Sequence, residues 1–291
     1  MQDFVFVFVA GLITALATGL GAIPFFFVKE FSDSWNVALW GIASGIMVSA
    51  SLFGLINEGL AYAASGLPTL MISGLLTGVV LVEVSDRVLN KSNINGRSEA
   101  DASTNDADTD ESAGSPDAPI DVEAFAEGDL KKLVLILGIL TVHSFPEGVA
   151  VGVSFAELGF EGGIGILGLS VPVLAVFMTI AISIHNIPEG TAIAIPMRAM
   201  GLSKWRMVGA AVFSSLPQPI GAVIAFAFVR WAEAFLPFGF GFAAGAMIYL
   251  VLSEFIPEAL ETGVDLPRRG YPELSAGISA GVLLMLPLLS V

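Results

Sequence analysis

The stretch LVLILGILTVHSFPEGVAVGVSFA, residues 133–156, holds one histidine and one glutamate, four residues apart, in a run otherwise free of charge. A bilayer core takes about 20 apolar helical residues to cross, so this stretch predicts a helix in lipid. Residues four apart share a helix face, which points His143 and Glu147 in one direction. The pattern returns forty-two positions later in VLAVFMTIAISIHNIPEGTAIAIP, residues 173–196, with His185 and Glu189 at the same spacing; the two copies contain both histidines of the chain. A carboxylate at the bilayer centre costs at least ~2.5–3.5 kcal/mol, and a divalent cation held between two such faces cancels the paired negative charge. Imidazole and carboxylate donors suit Zn²⁺, Fe²⁺, Mn²⁺, Co²⁺ and Cd²⁺. The repeated motif therefore predicts a cage for a divalent metal inside the membrane.

The rest of the chain fits that environment. Of 291 residues, 55% are hydrophobic and 13% charged, with a mean hydropathy of +0.83, a composition outside the range of soluble domains. No cysteine is present, which excludes disulfides, thiolate chemistry and soft sulfur metal sites. The 12 Lys and Arg residues form no stripe, which argues against a nucleic-acid partner. Of the 27 acidic residues behind the net charge of −15, eleven fall between Glu99 and Asp129. The loop from Lys91 to Asp129 is rich in Asp, Ser, Asn and Ala, and reads as a disordered, solvated linker. The first apolar run, Phe4 to Val28, follows Asp3 and no Lys or Arg, so it reads as a retained span and not a cleaved signal.

Apolar runs near 4–28, 37–62, 67–90, 131–156, 165–197, 204–230, 235–261 and 271–291 predict an all-α membrane protein of eight transmembrane helices. Three regions follow: spans 1–3 in 1–90, an acidic loop at 91–130, and spans 4–8, with the metal motifs, in 131–291. With that count, Lys29, Arg87, Lys91, Arg97, Lys131, Lys132, Arg198, Lys204, Arg206, Arg268 and Arg269 share one side, and only Arg230 lies on the other. Cations mark the cytoplasmic side. Both termini are thus expected outside a cell membrane and the 91–130 loop inside.

Span 2 contains GIMVSASLFGLINEGL (45–60) and span 7 GAMIYLVLSEFIPEAL (245–260), matched at an offset of 200 through Gly45/Gly245, Met47/Met247, Leu52/Leu252, Ile56/Ile256, Glu58/Glu258 and Leu60/Leu260. The two spans run oppositely in this topology. The pair reads as an inverted repeat, with spans 1–3 related to 6–8 and spans 4 and 5 central, the pattern of alternating-access carriers.

His143, Glu147, His185 and Glu189 are the expected ligands. Pro146 and Pro188 each remove a backbone donor, freeing the carbonyls of Val142 and Ile184. Asn186 and Ser144 follow the histidines and point about 100° around the helix, toward a second ion or a neighbouring helix; packing is the simpler role for Ser144. Gln218, between Pro217 and Pro219, is an amide in an apolar span, read equally as a ligand or as a helix-to-helix hydrogen bond. Asn57, Glu58, Glu254 and Glu258 sit near span ends and read as pathway or interfacial groups. Glu83 and Asp86 beside Arg87 read as a helix-end ion cluster without a role.

With these motifs in place, the chain resembles the ZIP (Zrt-, Irt-like protein) family of metal transporters, and within it the GufA-type prokaryotic branch. The resemblance covers all eight expected spans and rests on the paired H-x-x-P-E-G motifs. It implies import of a divalent metal, zinc foremost, as transported substrate, external termini, a cytoplasmic loop between spans 3 and 4, a homodimer and an elevator-like slide. It also implies metal ligation by His143 and Glu147 on span 4 and by His185, Asn186 and Glu189 on span 5. The chain departs from the family pattern in carrying Ser144 where asparagine is usual, Gln218 where the branch usually has glutamate, and no histidine in the loop. The first two departures predict one firm metal site and a weak neighbour. An intramembrane metal-dependent hydrolase is the rival reading, but H-E-x-x-H is absent and no base is left over once the ion is held. Neither a catalytic residue nor a catalytic cofactor is expected. A passive channel or sensor is a third reading, separated from a carrier by whether flux saturates.

Overall fold

The computed structural model describes residues 2–28, 32–62, 68–101, 130–160 and 163–287. The expected acidic linker falls, for 102–129, outside the described residues; 91–101, expected to be disordered, instead continue the helix that begins at Thr69, which ends at Asp101. The described chain is mostly helical, in the order α1 (Gln2–Leu20), α2 (Asp33–Tyr62), α3 (Thr69–Asp101), α4 (Leu130–Ser154), α5 (Val173–Ala199), α6 (Lys204–Trp231), α7 (Glu233–Thr262) and α8 (Tyr271–Met285). Six helical segments among the described residues, including α1 with its 3₁₀ extension to Phe26, are long and apolar enough to cross a membrane; α4 and α8 pack among them.

Local chemistry sets the boundaries. The Ser32 hydroxyl accepts from the Trp35 amide to cap α2, and Pro172 stands at the N-cap of α5. Pro146 and Pro188 lie inside helices that continue past them. In α6 the chain breaks at Ser215–Leu216 and resumes at Pro217, whose missing N–H is harmless in a first turn. Both α2 and α7 widen into π-helix, at Ala50–Ile56 and Val251–Phe255. Pro257 follows the second of these, whereas α2 widens without a proline.

A second sequence expectation is corrected. Span 5 was expected from residue 165, but α5 begins at Val173. Before it stands a hairpin of β1 (Ile164–Ile166) and β2 (Leu169–Val171), paired in antiparallel register Ile164 to Val171. Glycines 159, 162, 163, 165 and 168 explain the difference: the window is apolar enough for a helix, but glycine is the weakest helix former after proline.

The helices pack in two groups. In one, α3 lies along α7 and α2 along α8; in the other, α4 lies along α6 and α1 along α5 and α6. The groups meet where α4 crosses α7 and α5 crosses α2. Close approach depends on missing side chains. A Cβ on Gly41 or Gly45 would overlap the Leu274 or Ile278 carbonyl of α8, and one on Gly241 or Gly245 the Met71 or Leu75 carbonyl of α3. The same holds in the second group, where Gly148 abuts the Gln218 carbonyl and Gly190 that of Thr18. A continuous buried core runs through the helices and includes Met47, Leu55, Ala150, Met178, Ile182, Phe226 and Met247.

Candidate metal centre

Three helices bring an inner cluster together. Glu147 from α4 and His185 and Glu189 from α5 each offer a ligand atom, all within 4.8 Å of one another, and are exposed by only 1%, 0% and 2%. His185 Nε2 donates to Glu147 Oε1 at 3.3 Å. Two donors bound to one tetrahedral ion at ~2.1 Å stand roughly 3.4 Å apart, so this spacing matches one edge of a coordination shell. From the break in α6, Gln218 Nε2 donates to Glu147 Oε2 at 2.5 Å, while its Oε1 accepts from Asn186 Nδ2 at 3.0 Å. The same Asn186 nitrogen donates to the Thr14 carbonyl of α1 at 2.8 Å. The His185 ring stacks on Phe255 of α7, with centroids 5.1 Å apart. Glu189 Oε2, Asn186 Oδ1 and His185 Nδ1 are buried with no protein partner. A buried acceptor without a partner is costly, and a cation is the ligand that two carboxylates and an imidazole would take in its place.

His143 does not join that cluster. Its Nε2 donates to Asp86 Oδ1 of α3 at 2.8 Å and faces Glu254 Oε1 of α7 at 3.1 Å. The three make a second group whose ligand atoms also lie within 4.8 Å, with His143 exposed by 3%, Asp86 by 18% and Glu254 by 27%. Sequence reasoning gave Asp86 no role. The available signal was an aspartate in the last apolar turns of a span, a position that demands a partner. Glu83, read alongside it, instead accepts from Tyr249 of α7 and pairs with Arg87.

The remaining expected residues scatter as follows. Ser144 is fully buried. Asn57 is exposed, while Glu58 is half-buried and lines a cavity of about 240 Å³ with Ser154, Pro172 and Leu174, where Tyr62 donates to Glu157. Glu258 lies one turn beyond Glu254 on α7, half-buried. Thr14 and Phe255, which position Asn186 and His185, carry no motif and were not singled out.

The profile of the ZIP zinc transporter family matches residues 4–288. The chain is 29% identical to the zinc transporter GufA of Myxococcus xanthus over 96% of each chain, and 29% identical to the zinc transporter ZupT of Corynebacterium aurimucosum over 90% of each. It is 36% identical to an Arabidopsis thaliana protein bearing a zinc-transporter name, over 86% of this chain, which spans about a third (34%) of that longer relative. These relatives are named for transport and not for catalysis. The chain is a multi-pass membrane protein and belongs to the ZIP zinc transporter family.

Proposed function

We propose that the protein carries zinc, or a cation of like coordination, from outside the cell membrane to the cytoplasm through the Glu147–His185–Glu189 cluster. The observation that carries this reading is the cluster itself: two carboxylates and an imidazole, each at most 2% exposed, with ligand atoms within 4.8 Å. His143, Asp86 and Glu254 form the next station. His143 lies one turn from Glu147, about 6 Å along α4, and its partners are more exposed than the inner carboxylates, which suits release. Glu58 and the cavity it shares with Glu157 form the outer mouth, seven residues or about 10 Å beyond Glu147 at Ser154. Glu258 lines the cytoplasmic exit below Glu254. Gln218 and Asn186 brace the centre, and Asn186 Oδ1 remains available to the ion. Since the Gln218 amide occupies one oxygen of Glu147, the inner centre takes a single ion.

All eight helices cross the membrane in this reading, termini outward, in an inverted repeat that relates α1–α3 to α6–α8. The widened turns of α2 and α7 at the matching offset support it, as do the glycine contacts: Gly41 and Gly45 meet α8 as Gly241 and Gly245 meet α3. The group of α1, α4, α5 and α6 then slides against the group of α2, α3, α7 and α8, carrying the ion past Phe255. Two copies pair along α3, whose Ile72, Leu76, Val80 and Val84 form an exposed apolar stripe at every fourth residue.

Zinc uptake into proteoliposomes tests the reading. Wild-type uptake is expected to saturate, and Glu147→Ala with Glu189→Ala to abolish it; undiminished uptake by the double variant refutes the proposal.

A further inference from the structure

The connector between α4 and α5 is built unlike a loop in water. Residues 155–172 contain two charged side chains, Glu157 and Glu161, and five glycines. At the hairpin tip, Leu167 and Gly168 both adopt positive φ, 51° and 82°, between the paired Ile166 and Leu169. Two-residue turns of this hand favour Asn, Asp and Gly, and a bulky apolar residue at positive φ is an outlier. Leu167 is nevertheless there, 87% exposed, with Phe160 at 57% and Ile164 at 44% nearby on the same connector.

The surroundings fix the level of this apolar tip. Arg230, near the end of α6, donates to the Leu158 carbonyl at 3.3 Å and lies over the Phe160 and Phe226 rings at 5.8 and 5.7 Å. The next residue, Trp231, is 83% exposed. An exposed Trp beside an Arg at a span end marks the boundary of the bilayer. Phe226 meets Phe4 of α1 edge-on at 5.2 Å, and α1 exposes Val5 and Phe8 beside it. The connector thus continues the apolar outer surface of α1 and α6 at headgroup depth.

We propose that the β1–β2 hairpin inserts Leu167 into the boundary between phospholipid headgroups and acyl chains, making the connector of the two motif-bearing helices a membrane contact. In water the strained leucine and its exposed neighbours have no compensation; in lipid their burial supplies it. If α4 and α5 slide as the carrier reading holds, the depth of Leu167 changes with them. The contact itself does not depend on that reading.

Because the chain has no cysteine, Leu167→Cys in the full protein gives a unique thiol. A nitroxide attached there, in vesicles of phosphatidylcholine and phosphatidylglycerol without metal, reports depth through collisions with oxygen against those with a water-soluble nickel chelate. The oxygen-to-nickel ratio is expected to be severalfold above that of Asp265→Cys on the exposed turn after α7, and below that of Ile224→Cys on the outer face of α6. A ratio equal to that at Asp265→Cys overturns the proposal. Spin–spin broadening at Leu167→Cys, which would mean that a second copy covers the tip, overturns it too. As no metal is present, either failure leaves the uptake assay independent.

Discussion

Glu147 is held from two sides before any ion arrives, by Gln218 at one oxygen and His185 at the other. Gln218→Ala removes the brace, and since loss of an outer partner typically costs 10–100-fold in metal affinity, calorimetric titration with zinc should show about a tenfold weaker site. Gln218→Glu instead places a third carboxylate beside Glu147 and Glu189, and metal analysis of the purified variant should then find a second ion per chain. Imidazole and carboxylates must shed protons to ligate a metal, so binding at this cluster releases protons. Zinc affinity should therefore fall with falling pH; a flat response between pH 5 and 7.5 would count against histidine ligation. The pairing of His185 with Glu189 was legible because their spacing is internal to one helix. The partners of His143 were not: residues four apart differ by about 40° in direction, and which neighbour that turn meets depends on helices far away in the chain.

Among the elements, the glycine-lined seams between α2 and α8 and between α3 and α7 set how closely the helices approach. Gly245→Val drives two methyls and a Cβ against the Leu75 carbonyl of α3. Overpacking of this kind costs about 1–3 kcal/mol, read as a lower Tm in detergent, and Gly45→Val should cost a similar amount against Ile278. Gly45 and Gly245, matched in the sequence at an offset of 200, each line one of these seams. Helix positions were visible as well, since twenty-residue apolar runs have few other uses. The hairpin at 164–171 was not, for hydropathy counts its isoleucines and leucines as a span, while the backbone follows its glycines. The break in α6 was not read either: Pro217 and Pro219 stand just past it, but nothing in the sequence said that the chain would break there and aim Gln218 at Glu147.

In the whole molecule, the uneven distribution of cations becomes a statement about sidedness. Single cysteines at Glu233 and Asp265, both exposed, should label from opposite sides with a membrane-impermeant maleimide, Glu233→Cys in intact cells and Asp265→Cys only after lysis. Leu76→Cys on the α3 stripe should cross-link two copies under mild oxidation; its failure would remove the pairing without touching the metal site. One feature is shared by α2 and α7. The π-turns in α2 and α7 each store one surplus residue ahead of a glutamate, Glu58 in one and Glu258 in the other. A surplus residue advances everything after it by about 100° around the helix axis, so deleting Leu52 alone would rotate Glu58 out of its cavity while leaving the distant imidazoles in place. Such slack can migrate along a rod by single steps without breaking it; in the proposed pathway, with Glu58 at one mouth and Glu258 at the other, it would give each mouth its own small rotary shutter, independent of any sliding at the centre.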